Sequence, residues 1–198
     1  MSRYLATICS TIGIGIAIAS TGAYVGGDVQ PIDVERSTLT VHVFKAGLFS
    51  AFADNHVIRA PIAGGRIDEE GMLAVELVVK AAQMTVLDPG LSPDKRAEVQ
   101  TRMHGPEVLD SARYPEIRFA STRVAPEGEN QWRVTGELTL HGVSRPLTLG
   151  VVRRDGRFRG TVSIRQRDFG IQPISIVGGT VKVKDELRIE FDIAVATR

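Results

Sequence analysis

A chain of 198 residues with 24 Lys and Arg against 23 Asp and Glu has no net field that would draw nucleic acid or an anionic membrane surface. Its one cysteine, Cys9, sits in the first segment, so disulfides, thiolate catalysis and cysteine-built zinc sites are excluded from everything downstream.

That first segment reads as an export signal. Arg3 is its only charge, residues 5–19 are apolar or small throughout, and Ala17-Ile18-Ala19 or Thr21-Gly22-Ala23 places small residues where a signal peptidase reads. The alternative is a retained anchor, for which roughly 19 uncharged residues are barely long enough. Cleavage after residue 23 would leave one domain-sized chain, expected as a linker over 24–36 and a single barrel over 37–198, in the periplasm or secreted.

Apolar and polar residues alternate from residue 37 onward, the signature of half-buried strands. The pattern predicts strands over 37–45, 56–67, 72–81, 116–124, 131–141, 146–154, 157–167 and 181–196, with turns at Glu70-Gly71, Glu127-Gly128 and Asp155-Gly156. The last strand is the clearest: Leu187, Ile189, Phe191, Ile193 and Val195 alternate with Arg188, Glu190, Asp192 and Ala194. Between Ala81 and Pro115, Ser92-Pro93 starts a short helix, Glu98 and Arg102 pair across one turn, and Gly105-Pro106 ends it. Its thin stripe of Val99 and Met103 suits a cover across a barrel end.

Eight antiparallel strands can close as an up-and-down barrel or stack as a two-sheet sandwich. The near-adjacent hairpins from 116 to 167 favour meander order and hence an all-β, eight-stranded antiparallel barrel with one short helix in a long connection.

Catalytic signatures are absent from the sequence: no Gly-x-Ser-x-Gly elbow, phosphate loop or His-Glu-x-x-His helix occurs. The four histidines, His42, His56, His104 and His141, show no ligand-like spacing, and no metal or cofactor is called for. Parity instead points inward. Ile58, Leu77, Phe119, Trp132, Gly136, Leu138, Phe158 and Gly160 fall on the apolar side, and Gly136 and Gly160 either open space for a ligand or relieve strand bending. After the first strand, the same parity places His56 at a barrel mouth with Phe49 and Phe52 beside it, and puts Gln166 and Asp168 at that mouth as the seventh strand ends. These five either orient the head group of a ligand and cover its chain or close the end of a dry core.

"RSTLTVHVFKAGLFSAF", "VLDSARYPEIRFASTRV", "VTGELTLHGVSRPLTL" and "RQRDFGI" occur in that order, and together they resemble the YceI-like, or polyisoprenoid-binding, family from about Val34 to Ala196. The resemblance implies an extended lipocalin-like barrel exported to the periplasm, with an apolar tunnel for an isoprenoid, quinone-like or fatty chain and no catalytic residues. An amphiphilic lipid is then the expected partner, with only transient membrane contact. Ligand choice is expected in the Asp54-Asn55-His56 corner and the 81–115 connection. The competing reading is a periplasmic redox or hydrolytic module that uses bound quinone or a His56/Asp54 acid-base pair.

Overall fold

The computed structural model describes residues 29–46, 55–68, 74–176 and 181–196. Residues 1–23, Phe49, Phe52 and Asp54 lie outside the described residues. In chain order the elements are β1 (Val29–Ala46), β2 (His56–Arg59), β3 (Ile62–Asp68), β4 (Val75–Lys80), β5 (Thr85–Val86), α1 (Pro93–His104), β6 (Glu116–Gly128), β7 (Gln131–Leu140), β8 (Val143–Arg154), β9 (Arg157–Arg165), β10 (Ser175–Ile176) and β11 (Val181–Val195).

Sequential antiparallel pairing carries the sheet from β3 through β4, β6, β7, β8 and β9 to β11, and β11 returns to β1. With β2 and β3 counted as one interrupted strand, this is a closed eight-stranded barrel in meander order, as the hairpin spacing implies. Closure removes the sheet edges that an open sheet of this length would expose.

Several strand boundaries differ from the alternation pattern, β8 starting at Val143 and β9 ending at Arg165 for instance, and three of the differences have a local physical cause. β1 begins at Val29, so residues 29–36 are strand where a linker was expected. A bulge between Asp33 and Thr38 breaks the alternation there. Asp33 Oδ1 accepts the Arg36 amide at 3.1 Å, and the Ser37 hydroxyl donates to the Asp33 carbonyl at 2.6 Å and accepts the Ala194 amide at 2.9 Å. The expected strand 56–67 is split at Ala60-Pro61, because Pro61 has no amide to continue the ladder. Finally, the turn after β6 falls at Glu129-Asn130, with Asn130 at φ 57°, rather than at Glu127-Gly128.

The long connection behaves as its sequence suggests. Ser92 occupies the N-cap of α1 with Pro93 in the first turn, Gly105 ends the helix, and Arg102 lies 3.4 Å from Glu98. The Ser92 hydroxyl makes no capping bond. Met103 is buried with Met84, Val86, Leu109, Phe169 and Ile171 in the cluster that seals one end of the barrel. Ile32, Ile62, Ile67, Phe158 and Ile193 form a second cluster towards the other end.

Candidate functional site

Between the two clusters lies a cavity of about 390 Å³, inside the range of small-molecule sites. β6 contributes Ile117 and Phe119, β7 Trp132, Val134, Leu138 and Leu140, and β8 Leu147, Leu149 and Val151. From Trp132 to Leu140 the wall extends over nine residues of one strand, eight rises or roughly 27 Å. Among the described residues, Asp68 is the one lining it that is not apolar, so the space is an apolar tunnel.

Strand alternation produces this wall directly. In β7, Val134, Leu138 and Leu140 are buried, whereas Arg133 and Glu137 are exposed. Five of the residues expected inside, Leu77, Phe119, Trp132, Leu138 and Phe158, line the cavity. Ile58 packs in the sealed-end cluster instead. The wall also takes Phe191, Ile189 and Leu187 from the dry face of β11, which the same alternation exposes to inspection. Met84 and Leu109 come from the long connection, where no two-residue period could have revealed them.

The two inward glycines do not open the tunnel. A Cβ at Gly136 would lie 2.7 Å from Phe119 Cζ and 2.8 Å from Ser121 Cα. At Gly160 it would lie 2.8 Å from Phe191 Cε1 and even nearer the Gly150 carbonyl. An aromatic ring therefore covers each glycine, and the neighbouring strand comes too close for any side chain. Of the two readings of these glycines, strand curvature is the one the packing matches.

The polar residues expected at the mouth have other partners. His56 Nδ1 lies 2.5 Å from Asp88 Oδ2, and Asp88 Oδ1 accepts the Val57 amide at 2.7 Å. Asp88 is only 5 % exposed, so this pair is a latch between β2 and the segment after β5. Gln166, 6 % exposed, donates to the Lys184 carbonyl at 2.8 Å. Asp168 is exposed, and its backbone carbonyl accepts Arg145 Nε at 2.8 Å. No hydrogen bond or ion pair among the described residues joins His56, Gln166 and Asp168, and none of the three lines the cavity. Sequence parity could not see Asp88, whose carboxylate is the partner that fixes His56.

At the opposite end, Asp192 on β11 receives Arg157 Nε at 2.5 Å and Arg159 Nε at 2.9 Å. Partial burial works against its ionisation, but the hydrogen bonds from Arg159 and Arg157 prevail and hold its carboxyl below the usual range. Arg157 also donates to the Arg36 carbonyl at 2.7 Å, which ties β9 to the bulge of β1.

Comparison with known sequences decides the family. The profile of the YceI-like domain matches residues 31–195. The chain belongs to the YceI-like family. Among curated members, a UPF0312 protein of Vibrio cholerae is 28% identical over 152 residues, 70% of this chain and 78% of that protein. A UPF0312 protein of Pseudomonas syringae is 37% identical over 86 residues, 38% of this chain, and that match covers 45% of the relative's length. Among solved structures, BcnA of Burkholderia cenocepacia superposes with a TM-score of 0.60 at 20% identity, covering 84% of this chain and 99% of BcnA. A polyisoprenoid binding domain from Saccharophagus degradans, implicated in plant cell wall breakdown, gives 0.58 at 15% identity, covering 85% and 98%. At these identities the superpositions establish the YceI-like fold.

Proposed function

We propose that the exported chain binds and carries, or sequesters, an amphiphilic lipid with an isoprenoid, quinone-like or fatty chain in the periplasm, without chemical turnover. The observation that carries this reading is the tunnel of about 390 Å³ whose lining, among the described residues, is apolar except at Asp68. Burying ten methylenes there contributes about 8 kcal/mol before immobilisation costs, comparable to the binding free energy at micromolar affinity. A long chain therefore needs no charged anchor inside the barrel. The polyisoprenoid-binding description of the Saccharophagus degradans domain supports the same ligand class.

For the redox or hydrolytic alternative, His56 is the residue at issue, and its imidazole is engaged by Asp88. Export rests on the first segment, where Arg3 precedes the apolar run and small residues close it. Native mass spectrometry of protein purified from its own cells tests the proposal. The expected result is a mature chain lacking the first segment, with an adduct of a lipid's mass that organic solvent removes. A bound metal, a solvent-resistant chromophore or a full-length chain held in membranes would contradict it.

A further inference from the structure

β8 is a strand with one complete side and one incomplete side. Towards β7 it pairs residue for residue from Leu140↔Val143 to Gln131↔Val152. Towards β9 only Val152↔Arg159, Arg153↔Phe158 and Arg154↔Arg157 are paired, although both strands run on well beyond them. β9 in turn is fully paired to β11, from Phe158↔Ile193 to Arg165↔Glu186. The barrel therefore closes through every neighbour, but the β8–β9 ladder stops a few residues below its turn.

The sequence itself specifies this gap. His141 and Gly142, at φ 52° and 73°, form the two-residue turn between β7 and β8, so the flanking pair Leu140↔Val143 exchanges both backbone bonds. Alternation then puts Glu137↔Pro146 in a pair without mutual bonds, which turns the Pro146 nitrogen away from β7 and towards β9. Proline is tolerated inside a strand only where no ladder partner needs its missing amide. Below Pro146 the gap ends where Arg145 Nε donates to the Asp168 carbonyl at 2.8 Å. Above, it ends where the Gly150 carbonyl approaches Gly160. From Pro146 to Gly150 the slit is roughly 13 Å long at the rise of a strand.

Both banks of the slit face the tunnel. Leu147 and Leu149 on one side, and Val162 and Ile164 on the other, line the cavity. At the head of the slit an exterior groove of about 380 Å³ is formed by Val152, Arg154, Arg159, Gly160, Thr161, Glu190 and Phe191. Phe191 belongs to both linings, and its ring covers Gly160, so at this point the Phe191 side chain is what stands between groove and tunnel. Inside, among the described lining residues, Asp68 is an acid and the others are apolar, and the nearby Arg153 guanidinium stands 5.4 Å from the Phe158 ring without belonging to the lining. In the groove, Arg159 is engaged by Asp192 and Asp155, while Arg154 is exposed and has no ion-pair partner among the described residues.

We propose that the lipid enters and leaves sideways through the slit between β8 and β9, with Phe191 as the gate and Arg154 holding an anionic head group in the exterior groove. The proposal rests on the lipid-binding reading above and adds a route and a head-group charge to it. Carboxylate and phosphate heads share this chemistry. A fluorescent long-chain fatty acid and the alcohol of the same chain serve as probes.

The full chain with Cys9→Ser, Thr148→Cys and Ser163→Cys is closed across the slit by oxidation or a short bismaleimide. A control carries Cys9→Ser, Thr139→Cys and Ser144→Cys across the complete β7–β8 ladder, where the two native hydroxyls lie 2.7 Å apart. Closing the slit should slow uptake and release of both probes by about tenfold or more, while the control loads at the native rate. For the oxidised form, reductant should restore exchange. Arg154→Glu should slow loading of the acid severalfold and leave the alcohol unchanged. Equal loading of slit-closed and control proteins would overturn the route while leaving lipid binding intact. Equal effects of Arg154→Glu on acid and alcohol would overturn the head-group assignment. If the unaltered chain takes up neither probe, the carrier reading fails together with the route.

Discussion

At the sealed end of the barrel, His56, Gln100, Gln166 and the buried Asp88 are each engaged with a backbone group or with one another, whereas along the tunnel every described lining residue but Asp68 is apolar. Gln100 shows how complete the engagement is: its amide donates to the Met84 carbonyl at 2.7 Å and its oxygen accepts the Val86 amide at 2.8 Å. Buried polar groups without partners are costly, so a polar cluster in the interior that is fully satisfied reads as architecture. An apolar hollow has the opposite meaning. Its walls forfeit the packing contacts that a solid core would make, and a lipid chain can supply them. Sealed-end substitutions should therefore change stability and spare binding, and tunnel substitutions should do the reverse.

Gly136→Leu should have the largest effect. The new side chain meets Phe119 and the β6 backbone, so the loss should reach or exceed the upper end of the usual overpacking cost, about 3 kcal/mol. Thermal or urea unfolding of delipidated protein measures it; a stable variant that has merely lost lipid would mean the glycine faces open space after all. Asp88→Ala comes next. It strips the Val57 amide and His56 of their shared partner at a site 5 % exposed, and should cost about 1–3 kcal/mol while lipid retention stays native. Loss of bound lipid at unchanged melting temperature would move the latch into the binding site.

The reciprocal case is Leu149→Trp. Leu149 lines the tunnel beside the slit, so the indole can enter existing space; melting should shift by less than about 1 kcal/mol equivalent, while the longest chain retained becomes shorter. Mass analysis of extracted lipids gives the chain-length distribution, and an unchanged distribution would place the ligand elsewhere. Asp192 should produce the smallest effect, and a conditional one. Its carboxyl is held below the ordinary value of 3.8, so the stability it contributes is fully present above that value and is lost as pH falls through the lower folded value. The melting difference between the native chain and Asp192→Asn should therefore be constant near neutrality and shrink in acid. A difference that grows in acid would reverse the assignment.

Much of the architecture was legible because alternation is a local signal: β7 reads its buried Val134, Leu138 and Leu140 straight off the sequence, and the type of turn at Asp155-Gly156 shows in the residues themselves, at φ 53° and 73°. What remained hidden was set by contacts distant in sequence. His56 looked like a mouth residue because its partner Asp88 lies in a stretch with no periodicity. Gly136 and Gly160 could be read either as openings or as relief of strand bending, because the rings that cover them, Phe119 and Phe191, come from other strands. Met84 and Leu109 reach the tunnel only through the path of the long connection, which no residue pattern within 81–115 prescribes. The early start of β1 was masked by its bulge, which shifts parity between Asp33 and Thr38.

Trp132, the chain's one tryptophan, lines the tunnel 5.9 Å from the Phe158 ring, and it offers the most direct test of where the lipid sits. Delipidated protein titrated with fatty acids brominated at successive chain positions should show saturable quenching of Trp132 emission, strongest for one bromine position and reversed by unbrominated lipid. Stoichiometric lipid binding with Trp132 emission unquenched by every bromine position would contradict the account, because the chain would then lie outside the barrel.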